Sequence, residues 1–378
     1  MRVLIAPDKF KGSLAARDAA NAIASGWRQA RPDDELSLLP ITDGGDGFGE
    51  IVGGLLDGKE RTTSACDAAH RPRLCRWAWA EGRRAAVVES AESIGLAKLP
   101  KALFHPFELD TRGLGQVLRA AAEMNPGRCL VGVGGSATND GGFGLARALG
   151  WHFTDRHGAG LERWTELYRL DCILSPALPP ALGDVNVAVD VRNPLLGQEG
   201  CSRIYGPQKG LQPEDFDLAE RCLSRLAEVA LREKLGIPAN TPGAGAAGGL
   251  GFGLAAFAGA RLIAGFQLFA DLAKLADRVR AADLVITGEG SLDASSLMGK
   301  GVGELADLCQ RERVPCAAVA GVTNLPPDCT RFCRVLSLAP DLASTAETQS
   351  NAGHWLAVAA RQLAEACVFG PAQAGATG

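Results

Sequence analysis

The 378 residues contain no long run of like charges, no apolar stretch long enough to span a bilayer and no Cys-x-x-Cys pair. Each absence removes a class of function. A formal net charge of -4, with both signs interspersed, leaves no electrostatic footprint for nucleic acid or an anionic membrane. Small-molecule chemistry is the expected task. The N-terminal segment reaches Asp8 and Lys9 too soon to form a secretory apolar region, so the expected compartment is the cytoplasm. The eleven cysteines are an odd number, and Cys329 and Cys333, the nearest to a metal spacing, have no answering pair. The thiols are expected to be reduced and mostly buried.

What is present is a recurring alternation. With 47% hydrophobic residues the chain can bury a substantial core and divide into two domains. Short apolar runs end in loops of glycine and polar residues: Val3 to Ile5 into PDKFKGS, Leu38 to Ile41 into TDGGDG, and Leu130-Val131 into GVGGSATNDGG. The pattern continues with Val185 to Val189 into DVRNPLLG, Leu284 to Ile286 into TGEGSLD, and Ala317 to Val319 into AGVTN. These read as buried parallel strands. Helical segments lie between them, one opened by Ser13 as a candidate cap and one from Leu114 to Met124, stopped by Asn125-Pro126-Gly127. The expected class is α/β, with ligands beyond the carboxyl ends of the strands, where the polar loops fall. Leu74 to Ala80 and Arg84 to Val88 flank Glu81-Gly82-Arg83 and predict an antiparallel hairpin near the start of an inserted domain.

The 132–142 stretch, GVGGSATNDGG, poses the sharpest question, because clustered glycine is costly to order and needs something close to its backbone. A Rossmann fingerprint fits loosely through Gly132, Gly134 and Ala137, with Asp155 as the ribose contact. Yet Asn139 to Gly142 favour caps and turns, which starts the helix at about Gly141 with Asp140 near its cap. The alternative is a nest of amides from Gly134 to Thr138 for phosphate, with hydroxyls and a carboxylate attached. The stretch from Ala294 to Gly301 has the length of a P-loop but lacks its first glycine and its Ser/Thr, so it is not a Walker A motif. Lys300 within it also reads as a solvated lysine at a helix cap.

Long motifs in order carry a resemblance over nearly the whole chain. PDKFKGS at 7–13, DGGDG at 43–47, GGSATNDGG at 134–142, DVRNPLLGQEG to GPQKG at 190–210, PGAGAAGGLGFGLAAFAGA at 242–260 and TGEG with Asp293 and Gly299-Lys300 resemble the bacterial type I glycerate kinases. The resemblance implies ATP-dependent phosphorylation of glycerate, usually at the 2-hydroxyl, with Mg²⁺. It also implies two α/β domains, each with a mainly parallel sheet flanked by helices, and an active site in the interdomain cleft. The expected division is 1–60 with 281–368, an inserted domain 61–280, and a disordered tail 369–378; monomer and homodimer both stay open.

Phosphoryl transfer needs amides and lysines for phosphate, carboxylates for Mg²⁺ and one carboxylate for the hydroxyl proton. Gly134, Gly135, Ser136, Thr138, Asn139, Asp140, Gly288 and Glu289 are assigned to nucleotide phosphate. Asp190, Asp293 and Lys300 are assigned to catalysis, the two aspartates also as Mg²⁺ ligands. Asp190 ends an apolar strand, where a carboxylate is otherwise expensive; a structural cap is the alternative for both aspartates. Asp8, Lys9, Lys11, Asp43 and Lys209 are assigned to substrate, against surface lysine for Lys11 and Lys209. The Gly-Ala stretch from Gly243 reads either as packing or as a second anion-binding helix start, and Glu89 either as a site residue or as a sheet-edge carboxylate. None of the five histidines falls in these motifs, which argues against a His-based mechanism.

The chain departs from the family at informative places. Lys9 stands for Ser, Asp46 for Glu and Phe48 for Thr, Leu114 and Gln116 replace a hydroxyl and a carboxylate, and Ser291 and Ser295 stand for Arg and Gln. Loss of an arginine beside transferring phosphate is worth several kcal/mol. Lys9 can replace the charge but not the bidentate fork. Three functions follow: a glycerate kinase; a kinase for another small hydroxy acid, suggested by apolar Phe48 and Leu114; or a non-catalytic nucleotide or hydroxy-acid binder.

Overall fold

The computed structural model describes residues 1–103, 105–297, 301–326 and 329–366. Lys300 and the tail 369–378 lie outside the described residues. In chain order the strands are β1 (Arg2–Ile5), β2 (Glu35–Leu38), β3 (Lys59–Cys66), β4 (Pro72–Ala80), β5 (Ala85–Glu89), β6 (Arg128–Gly132), β7 (His152–Asp155), β8 (Leu170–Leu174), β9 (Asp184–Val189), β10 (Arg261–Ala264), β11 (Leu284–Asp293), β12 (Cys316–Asn324) and β13 (Arg334–Ser337). Two units emerge: Met1–Thr42 with the described chain from Ala270 onward, and Asp43–Phe269. The expected boundaries at 60/61 and 280/281 lie elsewhere. The helix Phe48–Leu55 packs on β4 and β5, which draws the DGGDG segment into the second unit.

In the first unit the sheet order is β13-β12-β11-β1-β2, and every pair is parallel. Helix α1 (Ala16–Ala30) covers it with Ala16, Ala19, Ala20, Ile23, Ala24 and Trp27, the three-and-four spacing of one buried face. These side chains meet Val3 and Ile5 of β1, Leu284 and Ile286 of β11, and Ala317 and Val319 of β12. Ser13, the expected cap, does not cap α1: its hydroxyl donates to Phe10 O, and Ala15 holds the cap position. The TGEGSLD and AGVTN segments are also not loops. The β11–β12 ladder continues through Glu289↔Ala320, beyond the register of β1, and through Ser291↔Val322 and Asp293↔Asn324, beyond that of β13 as well.

The second unit has sheet order β10-β9-β6-β5-β4-β3, parallel from β10 to β5 and antiparallel from β5 to β3. The β4–β5 hairpin turns at Glu81–Arg83, as the spacing predicts. Helices α2 (Phe48–Leu55), α3 (Ser90–Ile94), α4 (Arg112–Glu123), α5 (Phe143–Ala148), α6 (Cys201–Tyr205), α7 (Phe216–Arg232) and α8 (Ala246–Ala258) follow in chain order, with a small antiparallel β7–β8 sheet. No helix among the described residues is long and apolar enough to cross a membrane. The described cysteines are free thiols, most of them buried, with Cys333 exposed.

Candidate active site

In the second unit the carboxyl ends of β5, β6 and β9 lie level, with Gly132 in register with both Glu89 and Ala188. The loop after β6 therefore starts between Glu89 and Asp190, where α/β sheets place ligands. Its glycines are pressed first by protein. The Gly134 amide donates to Gly44 O at 3.1 Å, and a Cβ on Gly134 would sit 2.5 Å from Gly45 Cα. Gly135 has φ +74, and its Cβ would meet the Asp46 carboxylate at 2.3 Å. Farther on, the Gly141 amide donates to Gly248 O, and a Cβ on Gly248 would lie 2.0 Å from Thr138 O. Three glycine-rich stretches thus stack backbone to backbone. Ala247, Gly248 and Gly249 all have positive φ, so the Gly-Ala stretch opens with a left-handed turn rather than a regular helix start, which favours its packing role.

The loop is tied from its other side as well, by Leu96 N to Gly135 O and Ala137 N to Ile94 O. Gly134 and Ala137 are thereby removed from the expected nest. The amides of Gly135, Ser136 and Thr138 have no hydrogen-bond partner among the described residues. Gly135 is exposed, while Ser136 and everything from Ala137 to Asp140 are buried. Beneath them lies Lys209, 3% exposed, at the end of the short turn Pro207–Lys209. Its Nζ donates to Ser136 Oγ at 3.1 Å and to Thr138 O at 2.8 Å. Burial pushes its amine down to about 8, against the opposing pull of Cys201, Asp140 and Asp190. Lys209 is therefore not a surface lysine but is bonded into the β6 loop.

Two buried polar atoms in this loop, Thr138 Oγ1 and Asn139 Oδ1, lack partners among the described residues. Asn139 Nδ2 donates to Ser202 Oγ of α6. Asp140 has a different task from the expected phosphate contact. Its carboxylate accepts from Thr111 N, Thr111 Oγ1, Gly142 N and Gly144 N, joining the starts of α4 and α5. Burial, and then the neighbouring Asp110, raise its carboxyl to about 6.

Other expectations divide. Asp43 is half-buried and accepts from Gly45 N, shaping the DGGDG turn. Glu89 accepts from Gly47 N and Gly49 N, holding the start of α2; burial raises its carboxyl. Asp190 follows β9 but is exposed, so the burial penalty that singled it out is absent. Phe48 and Leu114 are both fully buried, Phe48 against Gly132, and neither makes an acceptor pocket more apolar.

In the first unit the segment after β1 runs along β11. Asp8 N donates to Gly288 O, and a Cβ on Gly290 would lie 3.2 Å from Lys11 N. Asp8 Oδ1 accepts from Lys9 N at 2.7 Å. Lys11 is exposed, and Asp8, Lys9 and Glu289 are half-buried. Asp293 Oδ1 accepts from Ser295 N, a cap on the short turn Ala294–Leu297. Residue-by-residue reading missed Asp110, Thr111 and Ser202 as supports. The Asp-Thr pair ahead of α4 was a readable capping signal, whereas Ser202 carried none.

Comparison with known proteins gives the family and the fold. The family model for the glycerate kinase family matches residues 3–368. The chain is 35% identical over 325 residues to a glycerate 2-kinase of Escherichia coli (strain K12), covering 85% of each chain. It is 35% identical over 372 residues to a glycerate kinase of Halalkalibacterium halodurans, covering 96% of this chain and 97% of the other. The crystal structure of a protein described as glycerate kinase 2 from Salmonella typhimurium LT2 superposes with a TM-score of 0.81 at 31% identity, covering 96% of this chain and 97% of the other. By sequence, fold and the order of its loops, this chain belongs to the glycerate kinase family.

Proposed function

We propose that this kinase transfers the terminal phosphoryl group of ATP to glycerate, at the 2-hydroxyl. The observation that carries the reading is the cationic floor under the β6 loop. Among the described residues no carboxylate is bonded to the buried Lys209, and the three amides above it have no partner. A lysine held out of water needs an anion, and tetrahedral phosphate oxygens suit several convergent N–H donors. Gly135 supplies the exposed edge, and Ser136, Thr138 and Asn139 the buried support. Gly288 and Glu289 are assigned to the nucleotide as well, and Asp8, Lys9, Lys11 and Asp43 to the glycerate carboxylate or the phosphates.

Asp190 is the proposed general base for the 2-hydroxyl. Its exposure leaves the carboxylate accessible to a substrate hydroxyl. Asp293 is the proposed second carboxylate. Among the described residues no three metal-ligating side chains cluster. Mg²⁺ brought in on phosphate oxygens needs only one or two carboxylates from the protein. Asp190 in the second unit and Asp293 in the first are each proposed as a carboxylate able to hold it, and it would neutralise charge on the phosphate oxygens. The family's missing arginine leaves the first unit short of one cation, and Lys9 is the proposed replacement.

The rival acceptor reading rested on Phe48 and Leu114, which lie in the core. The test is ADP release over a panel of hydroxy acids, with the phosphorylated carbon identified by ³¹P NMR. Turnover on glycerate giving the 2-phosphate is expected. Turnover only on another acid, or phosphate on the 3-carbon, overturns the assignment.

A further inference from the structure

A chain of acids joins the buried end of the β6 loop to the turn ahead of α4, and the proposed transfer leaves it unused. Asp140 collects four donors, two of them from Thr111, whose hydroxyl in turn accepts from Leu145 N at 2.8 Å. Asp110 lies alongside: a Cβ on Gly144, whose amide donates to Asp140, would sit 2.5 Å from Asp110 Oδ1. That same Oδ1 accepts from Arg112 N and pairs with His70 Nε2 at 2.9 Å. His70 is half-exposed, so the chain runs from solvent to the interior.

We infer that Asp140 is a positioning residue. Its ionised carboxylate, through Thr111 and the amides of Gly142 and Gly144, fixes the tail of the loop, while Asp110 and His70 govern whether it stays ionised. The inference rests on the reading of this loop as the nucleotide site. Every group shown bonded to the Asp140 carboxylate is a donor, so protonation would set an O–H against one of these donors and break that contact. The charges facing Asp140 are Asp110, which opposes ionisation, and Lys209, which favours it. Those facing His70 are Asp110 and Asp67, which favour its protonation, and Arg112, which opposes it.

Two opposite shifts follow. Removing the Asp110 charge makes Asp140 easier to ionise. Removing the His70 cation leaves Asp110 uncompensated and makes Asp140 harder to ionise. Asp140 titrates above the ordinary carboxylate value, so its contribution to stability is greatest below that ordinary value and is lost as pH rises through about 6. Acid therefore loosens the loop without unfolding the protein through this group.

The experiment is the pH profile of kcat/KM for ATP and for glycerate, with melting temperature followed in parallel. The wild type is expected to lose kcat/KM for ATP below about pH 6. In Asp110→Asn the acid limb moves about one unit lower, and in His70→Gln it moves several tenths of a unit higher. Asp140→Asn lowers kcat/KM for ATP on the order of tenfold at neutral pH and flattens the limb. Coincident limbs in the wild type, Asp110→Asn and His70→Gln, or shifts in the same direction, overturn the inference. Opposite shifts that appear in the glycerate profile alone keep Asp140 as the positioning residue and overturn the assignment of the loop to ATP.

Discussion

In the unit Asp43–Phe269 the loop after β6 turns into the interior, where Thr138, Asn139 and Asp140 are fully buried over a buried lysine. In the other unit the equivalent ground is a strand: β11 runs past β1, and its charged and polar residues from Glu289 to Asp293 are half-buried or exposed, apart from Leu292. The first arrangement fixes donors by packing, so each group there has one geometry and few substitutes. The second presents side chains at the surface, where one cation can stand in for another reached from a neighbouring segment. The β6 loop itself, GGSATNDGG, keeps the family pattern, whereas Lys9, Ser291 and Ser295 of the first unit are altered; the departures of the second unit, Asp46, Phe48, Leu114 and Gln116, fall outside that loop.

The contrast is broken most severely by Asp190, the exposed member of the buried unit. Asp190→Asn is expected to keep nucleotide binding and lower kcat by roughly two to four orders of magnitude, the range for a positioned general base. Steady-state kinetics with activity within a few-fold of wild type would make Asp190 structural. The packing side is sharpened by Phe48→Thr, which restores the family residue in a fully buried position. It should cost about 3 kcal/mol or more by denaturant unfolding, with the preference among hydroxy acids unchanged. A changed preference at unchanged stability would return Phe48 to the acceptor site.

The surface side predicts compensation. Lys9→Ser should lower kcat more than it raises either KM, since the contact strengthens in the transition state. Adding Ser291→Arg should recover much of that loss, while the arginine alone should help little or harm. Lys9 precedes the segment beside Gly290, and Ser291 follows it on β11, so the two changes share one neighbourhood. Their coupling should be about 1 to 3 kcal/mol in activation free energy, and simple additivity would leave Lys9 with no compensating role.

Much of this was legible in the sequence, because hydrophobic runs broken by glycine loops report strand ends directly. β1, β6, β9 and the hairpin at Glu81–Arg83 stand where the pattern put them. The extension of β11 and β12 was not legible, since TGEGSLD and AGVTN are glycine-bearing and polar like true loops, and only the pairing of one with the other makes them strands. The same limit applies at the site. Glycine at 134 and 135 signalled a close approach, but composition could not say that the nearest neighbour is the backbone of the DGGDG turn. Nor could it say that Lys209, some seventy residues away in the chain, lies under the loop. Asp140 looked like a ligand-binding carboxylate because its four donors come partly from Thr111, a residue distant in sequence.

The central claim is that the β6 loop and its buried lysine hold nucleotide phosphate. Its most direct test is calorimetric titration of ATP and of glycerate into wild type and Lys209→Met over a range of pH. The Lys209 amine titrates at about 8, below its ordinary value, so its charge is present below that pH and lost above it. Burial of the charged form weakens the fold, and this group's contribution to stability rises with pH from about 8, so weaker binding there is not unfolding. Wild-type affinity for ATP should fall as pH rises through about 8, and Lys209→Met should bind ATP on the order of tenfold more weakly and without that dependence. Glycerate affinity should stay within about twofold throughout. Unchanged ATP affinity in Lys209→Met, with glycerate binding lost instead, would contradict the account.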